Sequence, residues 1–225
     1  MTNSQNVPKV IYIMGPPGAG KGTQAELLAQ KLGYHRFSTG DAFRSVSRQD
    51  TDLGRRVKET IDNGFLASPE MAAEIVIAAV TEHMEAGMGL IFDGTPRTIE
   101  ESALVDKYFM ESGYGRPLAI YLKVDKDIMI ERNSKRRFCL GVNGDFPVVT
   151  QEDHDKCSAL GGEVGVRPDD DPEKFATRWN EFMTRTYPVV EKYKVEGILK
   201  EVDGLPSVEE VHGMVMGVVR GIEGK

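Results

Sequence analysis

The chain predicts a three-layer α/β fold, with helices packed on both faces of a parallel sheet. Three observations predict it. Short apolar runs rich in β-branched and aromatic residues recur along the 225 residues, and segments of helical periodicity separate them. The runs are apolar at consecutive positions, as strands covered on both faces require. The first run, Val10 to Met14, stops at a glycine-rich turn that opens directly into a helix.

Taken in order, residues 1–8 read as a loose tail and Val10–Met14 as a buried strand. Thr23 to Leu32 is helical, with Ala25, Leu28, Ala29 and Leu32 on one side. Tyr34 to Phe37 forms a second short strand. Ser38-Thr39-Gly40-Asp41 supplies caps for a helix that carries Phe43 and Arg44. Asp52 to Ile61 is helical and closes at Asn63-Gly64. Ser68-Pro69-Glu70 starts the next helix with a hydroxyl cap, a proline at the first helical position and an early acid. Gly89 to Asp93 is a strand ending on a carboxylate, followed by Gly94-Thr95-Pro96-Arg97. Leu118 to Val124 is another strand, and Asp127 to Arg137 a helix ending in a basic cluster. Residues 138–170 are glycine-rich and polar with little periodicity, and read as an inserted excursion. Asp171-Pro172-Glu173 opens a long helix bearing Phe175, Trp179, Phe182 and Met183, which Pro188 is expected to break or kink. Trp179 and Phe182 are expected in the core. Ile198 to Val202 is the last strand and Ser207 to Ile222 the last helix.

With 40% hydrophobic and 28% charged residues, the chain suits one globular unit with a sizeable core. No apolar stretch is long enough to cross a bilayer and no basic-then-apolar leader opens it, so a cytoplasmic, non-membrane protein is expected. A net charge of −7 argues against a nucleic-acid coat. Two cysteines, Cys139 and Cys157, make no disulfide framework. His35, His83 and His212 lack partners at ligand spacing.

Gly15-x-x-x-x-Gly20-Lys21-Gly22-Thr23 reads as a phosphate-binding loop. Glycines let successive N–H groups converge on phosphate oxygens, and the following helix presents its positive end to the same anion. Lys21 adds a mobile charge. Thr23, one place later than the usual hydroxyl, is left for a metal shell. Asp93, at the carboxyl edge of a strand, suits water-mediated magnesium holding, with helix capping as its plainer alternative.

Five ordered motifs carry a resemblance: Gly15-x-Pro17-Gly-x-Gly-Lys-Gly-Thr-Gln; Ser38-Thr39-Gly40-Asp41-x-x-Arg44; Phe92-Asp93-Gly94-x-Pro96-Arg97-Thr98; Arg136-Arg137; and Arg167-x-Asp169-Asp170. From about residue 9 to 203 the chain resembles adenylate kinase and its nucleoside monophosphate kinase relatives. The resemblance implies a five-stranded parallel sheet and reversible transfer from Mg-ATP to AMP. It implies a core of 9–37, 68–134 and 171–225, an acceptor-binding insertion at 38–67 and a mobile lid at 135–170, in a protein expected to be monomeric. Gly141, Gly144, Gly161 and Gly162 suit a movable element.

By the same resemblance Gly18, Ala19, Gly20, Lys21, Gly22 and Thr23 hold ATP, joined by Arg132 and Arg136 from one helix face. Thr39, Gly40, Arg44, Phe65, Ala67, Gly94, Arg97, Glu101, Arg167 and Arg178 hold AMP. Lys21, Asp93, Arg97, Arg132, Arg136, Arg167 and Arg178 serve catalysis, with Arg167 and Arg178 on the transferring group. Arg137 is expected to serve structure. Asp169 and Asp170 either pair with arginines at a hinge or cap the helix starting at Pro172. The attacking phosphate oxygen is already ionised, so charge and alignment are needed and a general base is not.

Two departures stand out. Where the family carries a glutamine against adenine, this chain has Glu101, which when ionised only accepts hydrogen bonds and suits the donors of guanine better. Thr95 likewise replaces the usual phenylalanine. In the lid, many relatives hold a structural zinc with four cysteines, but Val142 and Leu160 occupy two of those places here. The favoured reading is an apolar knot of Cys139, Val142, Cys157 and Leu160 with free thiols. A zinc site using His154 with Asp153 or Asp155, and a disulfide in an oxidising setting, are the alternatives.

Overall fold

In the computed structural model of the chain, residues 7–62, 68–84, 87–142, 146–148, 150–166 and 172–221 are described. Val10–Met14 (β1), His35–Ser38 (β2), Leu90–Asp93 (β3), Leu118–Lys123 (β4) and Leu199–Asp203 (β8) form one sheet of order β2-β3-β1-β4-β8. Every pairing in it is parallel, with Ile11 opposite Ile91 on one side and Leu118 on the other. β1 is buried at every position because its pleat feeds two cores. Ile11 and Ile13 face a cluster with Leu28, Met129, Phe175 and Val215. Val10, Tyr12 and Met14 face the opposite cluster with Val76, Phe92, Phe109, Val189 and Tyr193.

Helices Lys21–Leu32 (α1) and Val208–Val219 (α10) cover the first face, and Pro69–Met84 (α4), Ile99–Glu111 (α5) and Tyr187–Val195 (α9) the second. Asp106 on α5 ties the second layer together. Its Oδ1 accepts from Tyr12 and Tyr193 at 2.9 Å, and its Oδ2 from Lys192 Nζ at 3.2 Å. An acceptor satisfied three times can sit half-buried among aromatic rings. The chain leaves β1 toward β2 on the β3 side and leaves β4 toward β8 on the other side, so the connections part at the carboxyl ends of β1 and β4. The crevice where open α/β sheets bind ligands therefore opens past Met14.

Helices Thr39–Ser47 (α2) and Asp52–Asp62 (α3) follow β2, with Ser38 Oγ accepting from Asp41 N at the start of α2. After Lys126–Lys135 (α6) the chain builds a second sheet instead of an irregular excursion. Phe138–Leu140 (β5) pairs antiparallel with Phe146–Pro147 (β6) and Glu163–Gly165 (β7). Gln151–Ala159 (α7) crosses it, opened by a capping box of Thr150 and Asp153. Cys139, Val148 and Cys157 are buried at its centre against Val142, Phe146 and Val164. The apolar knot is there, but the reading with free thiols is corrected: Cys139 and Cys157 are joined as a disulfide. Leu160 is exposed and takes no part. Gly162 is required where it stands, since a side chain there would collide with both sulfurs.

The long helix does not end at Pro188. Pro172–Glu181 (α8) passes through a π-helical segment, Phe182–Thr186, which interrupts its α-helical pattern just before the proline, and on into α9. Proline sits in the first turn of α9, where its missing N–H is tolerated. Phe182 is buried as expected, and Trp179 packs half-buried against the first core.

Candidate active site

The turn after β1 bends back over itself with Gly18 and Gly20 at φ of 85° and 88°, values open to glycine. Gly20 is the N-cap of α1 and offers no side chain, so the amides of the first turn have no capping group and remain available to an anion. Lys21 Nζ donates to Pro16 O at 2.9 Å, arching over the loop. Burial lowers its pKa to about 7; Asp93 opposes this, while Arg97, Arg178 and Arg136 add to it. A site that disfavours its own cation calls for a negative ligand.

Asp93 ends β3 against this turn. A Cβ on Gly22 would lie 3.0 Å from Asp93 Oδ2, so glycine lets the carboxylate close on the start of α1. Arg36 Nη2 donates to the same oxygen at 3.1 Å, and its Nη1 reaches Glu26 at 3.4 Å. Thr23 is exposed on the first turn of α1.

A cleft of about 180 Å³ opens beside them, lined by Lys21, Thr39, Gly40, Arg44, Gly94, Arg97, Glu101 and Arg178 among others. Arg97 is held on three sides. Its Nε donates to Gly94 O at 2.6 Å, its backbone N–H to Glu101 Oε2 at 2.8 Å, and its carbonyl accepts from Thr186 Oγ1 at 3.0 Å. Burial, followed by the fields of neighbouring Arg178 and Arg44, disfavours the Arg97 charge, partly offset by Glu101 and Asp93. Arg44 pairs with Asp41 at the mouth. Glu101 is fully enclosed; burial raises its pKa, against the pull of its bonds to Arg97 N and Thr95.

A family model described as adenylate kinase matches residues 13–198. A protein named adenylate kinase from Salinispora tropica is 38% identical over 218 residues, covering 95% of this chain and 99% of its own length. Another from Carboxydothermus hydrogenoformans is 38% identical, covering 91% and 96%. A third from Lachnoclostridium phytofermentans is 36% identical, covering 93% and 97%. The chain belongs to the adenylate kinase family.

In this adenylate kinase family member the structure gathers Lys21, Arg44, Arg97 and Arg178 around one cleft, with Asp93 beside Lys21 and Gly22. Arg132 and Arg136 are not part of that cleft's lining. α6 ends at Lys135 and Arg136 is its C-cap, where an extended ψ of 136° leads the chain that follows out of the helix. Arg132 donates to Gly204 O and Leu205 O at 2.8 and 3.0 Å. Arg136 stacks 4.5 Å from the Phe138 ring and still contributes to the field at Lys21. Arg137 donates to Ser134 O and Arg136 O. Phe65, Ala67, Gly144, Arg167, Asp169 and Asp170 lie outside the described residues.

Sequence reasoning missed Arg36 and Thr186. Arg36 had a weak signal, a charge beside Phe37 in a short strand. Thr186 had none, because its role arises from the π-helical turn. Among the described residues no group of three or more His, Cys, Asp or Glu is placed to hold a metal. One carboxylate at Asp93 and one exposed hydroxyl at Thr23 nevertheless suit an ion that keeps most of its waters and brings phosphate ligands with it.

Proposed function

We infer that the protein catalyses reversible phosphoryl transfer from Mg-ATP to AMP, giving two ADP. The observation that carries this reading is the meeting of Lys21, Arg44, Arg97 and Arg178 at the tip of β1, in a chain acidic overall. Half-buried cations that repel each other are stabilised by two phosphate chains placed end to end. The backbone of Gly18–Thr23 and Lys21 would hold the donor phosphates. Arg44 and Arg97 would grip the acceptor phosphate, beside Thr39, Gly40, Gly94 and Glu101. Arg178, with Arg167, would neutralise charge on the group in flight. Magnesium, held through water by Asp93 near Thr23, would supply charge neutralisation on the donor phosphates. Arg97 owes its fixed position to Gly94, Glu101 and Thr186, so little reorganisation is needed as charge develops.

The second sheet belongs to the proposed lid, residues 135–170, and residues 38–67 to the proposed acceptor-binding insertion. Core segments 9–37, 68–134 and 171–225 would stay fixed. Arg136 links α6 to β5 and would follow the lid, while Arg132 would hold the Gly204–Leu205 turn. Closure would exclude water from the transferring phosphate. No described helix is long and apolar enough to cross a membrane. A cytoplasmic monomer without nucleic-acid or membrane partners and without structural zinc completes the reading. The test is ADP formation by purified protein given Mg-ATP and AMP; binding of both without turnover would refute it.

A further inference from the structure

The polar wall of the cleft beside Arg97 consists of Thr39, Thr95 and Glu101, exposed by only 2%, 1% and 2%. Thr95 Oγ1 donates to Glu101 Oε1 at 3.1 Å, and the Thr39 and Thr95 hydroxyls lie 2.6 Å apart. A hydroxyl has one hydrogen. That of Thr95 points at the carboxylate, so the hydrogen between the threonines comes from Thr39. The other carboxylate oxygen accepts from the Arg97 backbone at 2.8 Å. Every hydrogen of the chain Thr39 to Thr95 to Glu101 thus runs along the wall. What remains for a ligand is lone pairs on both Glu101 oxygens and on Thr39.

We propose that this acceptor-only wall admits a second class of phosphate acceptor beside AMP, the 2-amino-6-oxopurine monophosphates, of which GMP is the simplest. It rests on reading the cleft as the seat of the acceptor nucleotide. Guanine presents two adjacent donors, N1–H and an N2–H, which a carboxylate receives as a fork. Adenine presents an N6–H beside N1, whose lone pair then meets the second carboxylate oxygen unrelieved. Thr95 fixes this polarity, because its hydroxyl both holds Glu101 and turns the Thr39 hydrogen away from the cleft. A phosphate oxygen of GMP bonds to the γ-phosphorus as that phosphorus separates from the β–γ bridging oxygen. GDP and ADP result, with no further reactant.

Initial rates are measured with Mg-ATP and AMP, GMP or IMP on the full chain. GMP is expected within about 100-fold of AMP in kcat/KM, and about tenfold above IMP, which keeps N1–H and lacks the 2-amino donor. In Glu101→Gln, whose amide can donate to N1, the AMP-to-GMP ratio should rise at least about tenfold. Thr95→Val should move it the same way by less, since Thr39 regains a hydrogen for the ligand. GMP below about a thousandth of AMP, or equal to IMP, overturns the proposal while leaving AMP transfer intact. Equal losses for both acceptors in Glu101→Gln would mean that Glu101 only braces the Arg97 turn, and would also overturn it. No turnover with any acceptor would overturn the reading of the cleft and the proposal with it. The AMP, GMP and IMP series needs no variant, so misfolding of Glu101→Gln cannot shield the idea.

Discussion

Nucleotide binding should draw a proton onto Lys21. In the free protein its ammonium titrates at about 7, pressed down chiefly by burial and then, against Asp93, by three guanidinium groups. Phosphate oxygens against Nζ favour the charged form and return it toward the ordinary value of about 10.4. At pH 8 only about a tenth of free Lys21 is charged, against nearly all of it in the complex. Binding then takes up about 0.9 proton. ATP phosphates are already ionised at that pH, so affinity should fall about tenfold from pH 8 to 9 through this group. Titration calorimetry in two buffers of different ionisation enthalpy measures the uptake directly. Lys21→Arg, always charged, should take up none. Uptake below about 0.2 proton in the unaltered protein would sink the account. The same linkage has a sign for folding. The unfolded chain binds more protons between about pH 7 and 10.4, so stability through this group rises with pH across that window.

Lys21→Met should cut kcat by orders of magnitude while the melting temperature holds or rises, since it removes a charge that the fold disfavours, checked by steady-state kinetics and calorimetry. Gly22→Ala should lower turnover at least about tenfold, since its Cβ would press on Asp93 Oδ2 and lie 3.3 Å from Arg36 Nη2. Its stability should hold or rise by up to about 1 kcal/mol, because alanine suits a helix better. Reducing the Cys139–Cys157 bond, which spans 18 residues, should cost about 3 kcal/mol within the second sheet while leaving the five-stranded sheet's exchange protection intact. Hydrogen exchange with and without reductant measures both. Phe109→Ala, which empties a fully buried site between Phe92 and Tyr114, should cost about 3–5 kcal/mol in denaturant unfolding.

The parallel sheet was legible because each of its strands is a short hydrophobic or partly hydrophobic run beside a helix, and Gly15 to Thr23 fixed where the first strand ends. Three of the cations lining the cleft, Lys21, Arg44 and Arg97, were legible because each sits in a short motif, whereas Arg178 rested on the resemblance alone. Spacing alone did not show where Arg132 goes: its guanidinium is tied to the Gly204–Leu205 turn, a contact more than 70 residues away in sequence. The second sheet was hidden because β5, β6 and β7 have three, two and three residues, too short for any period to show. The disulfide was weighed and set aside on compartment grounds, which say nothing of how close two side chains come. Thr95 and Glu101 were each noticed alone; only the folded turn joins them.

The π-helical turn between Glu181 and Tyr187 amounts to one surplus residue in an otherwise continuous rod. Upstream of it Arg178 points at the cleft, and downstream Val189, Val190 and Tyr193 point into the second core. Those two bearings agree because the turn absorbs the surplus within itself. A further residue added between Arg178 and Val189, with no second such turn to absorb it, would twist everything beyond by about 100°. Either the guanidinium or the aromatic ring would then face the wrong way, so the length of this rod is as constrained as its composition.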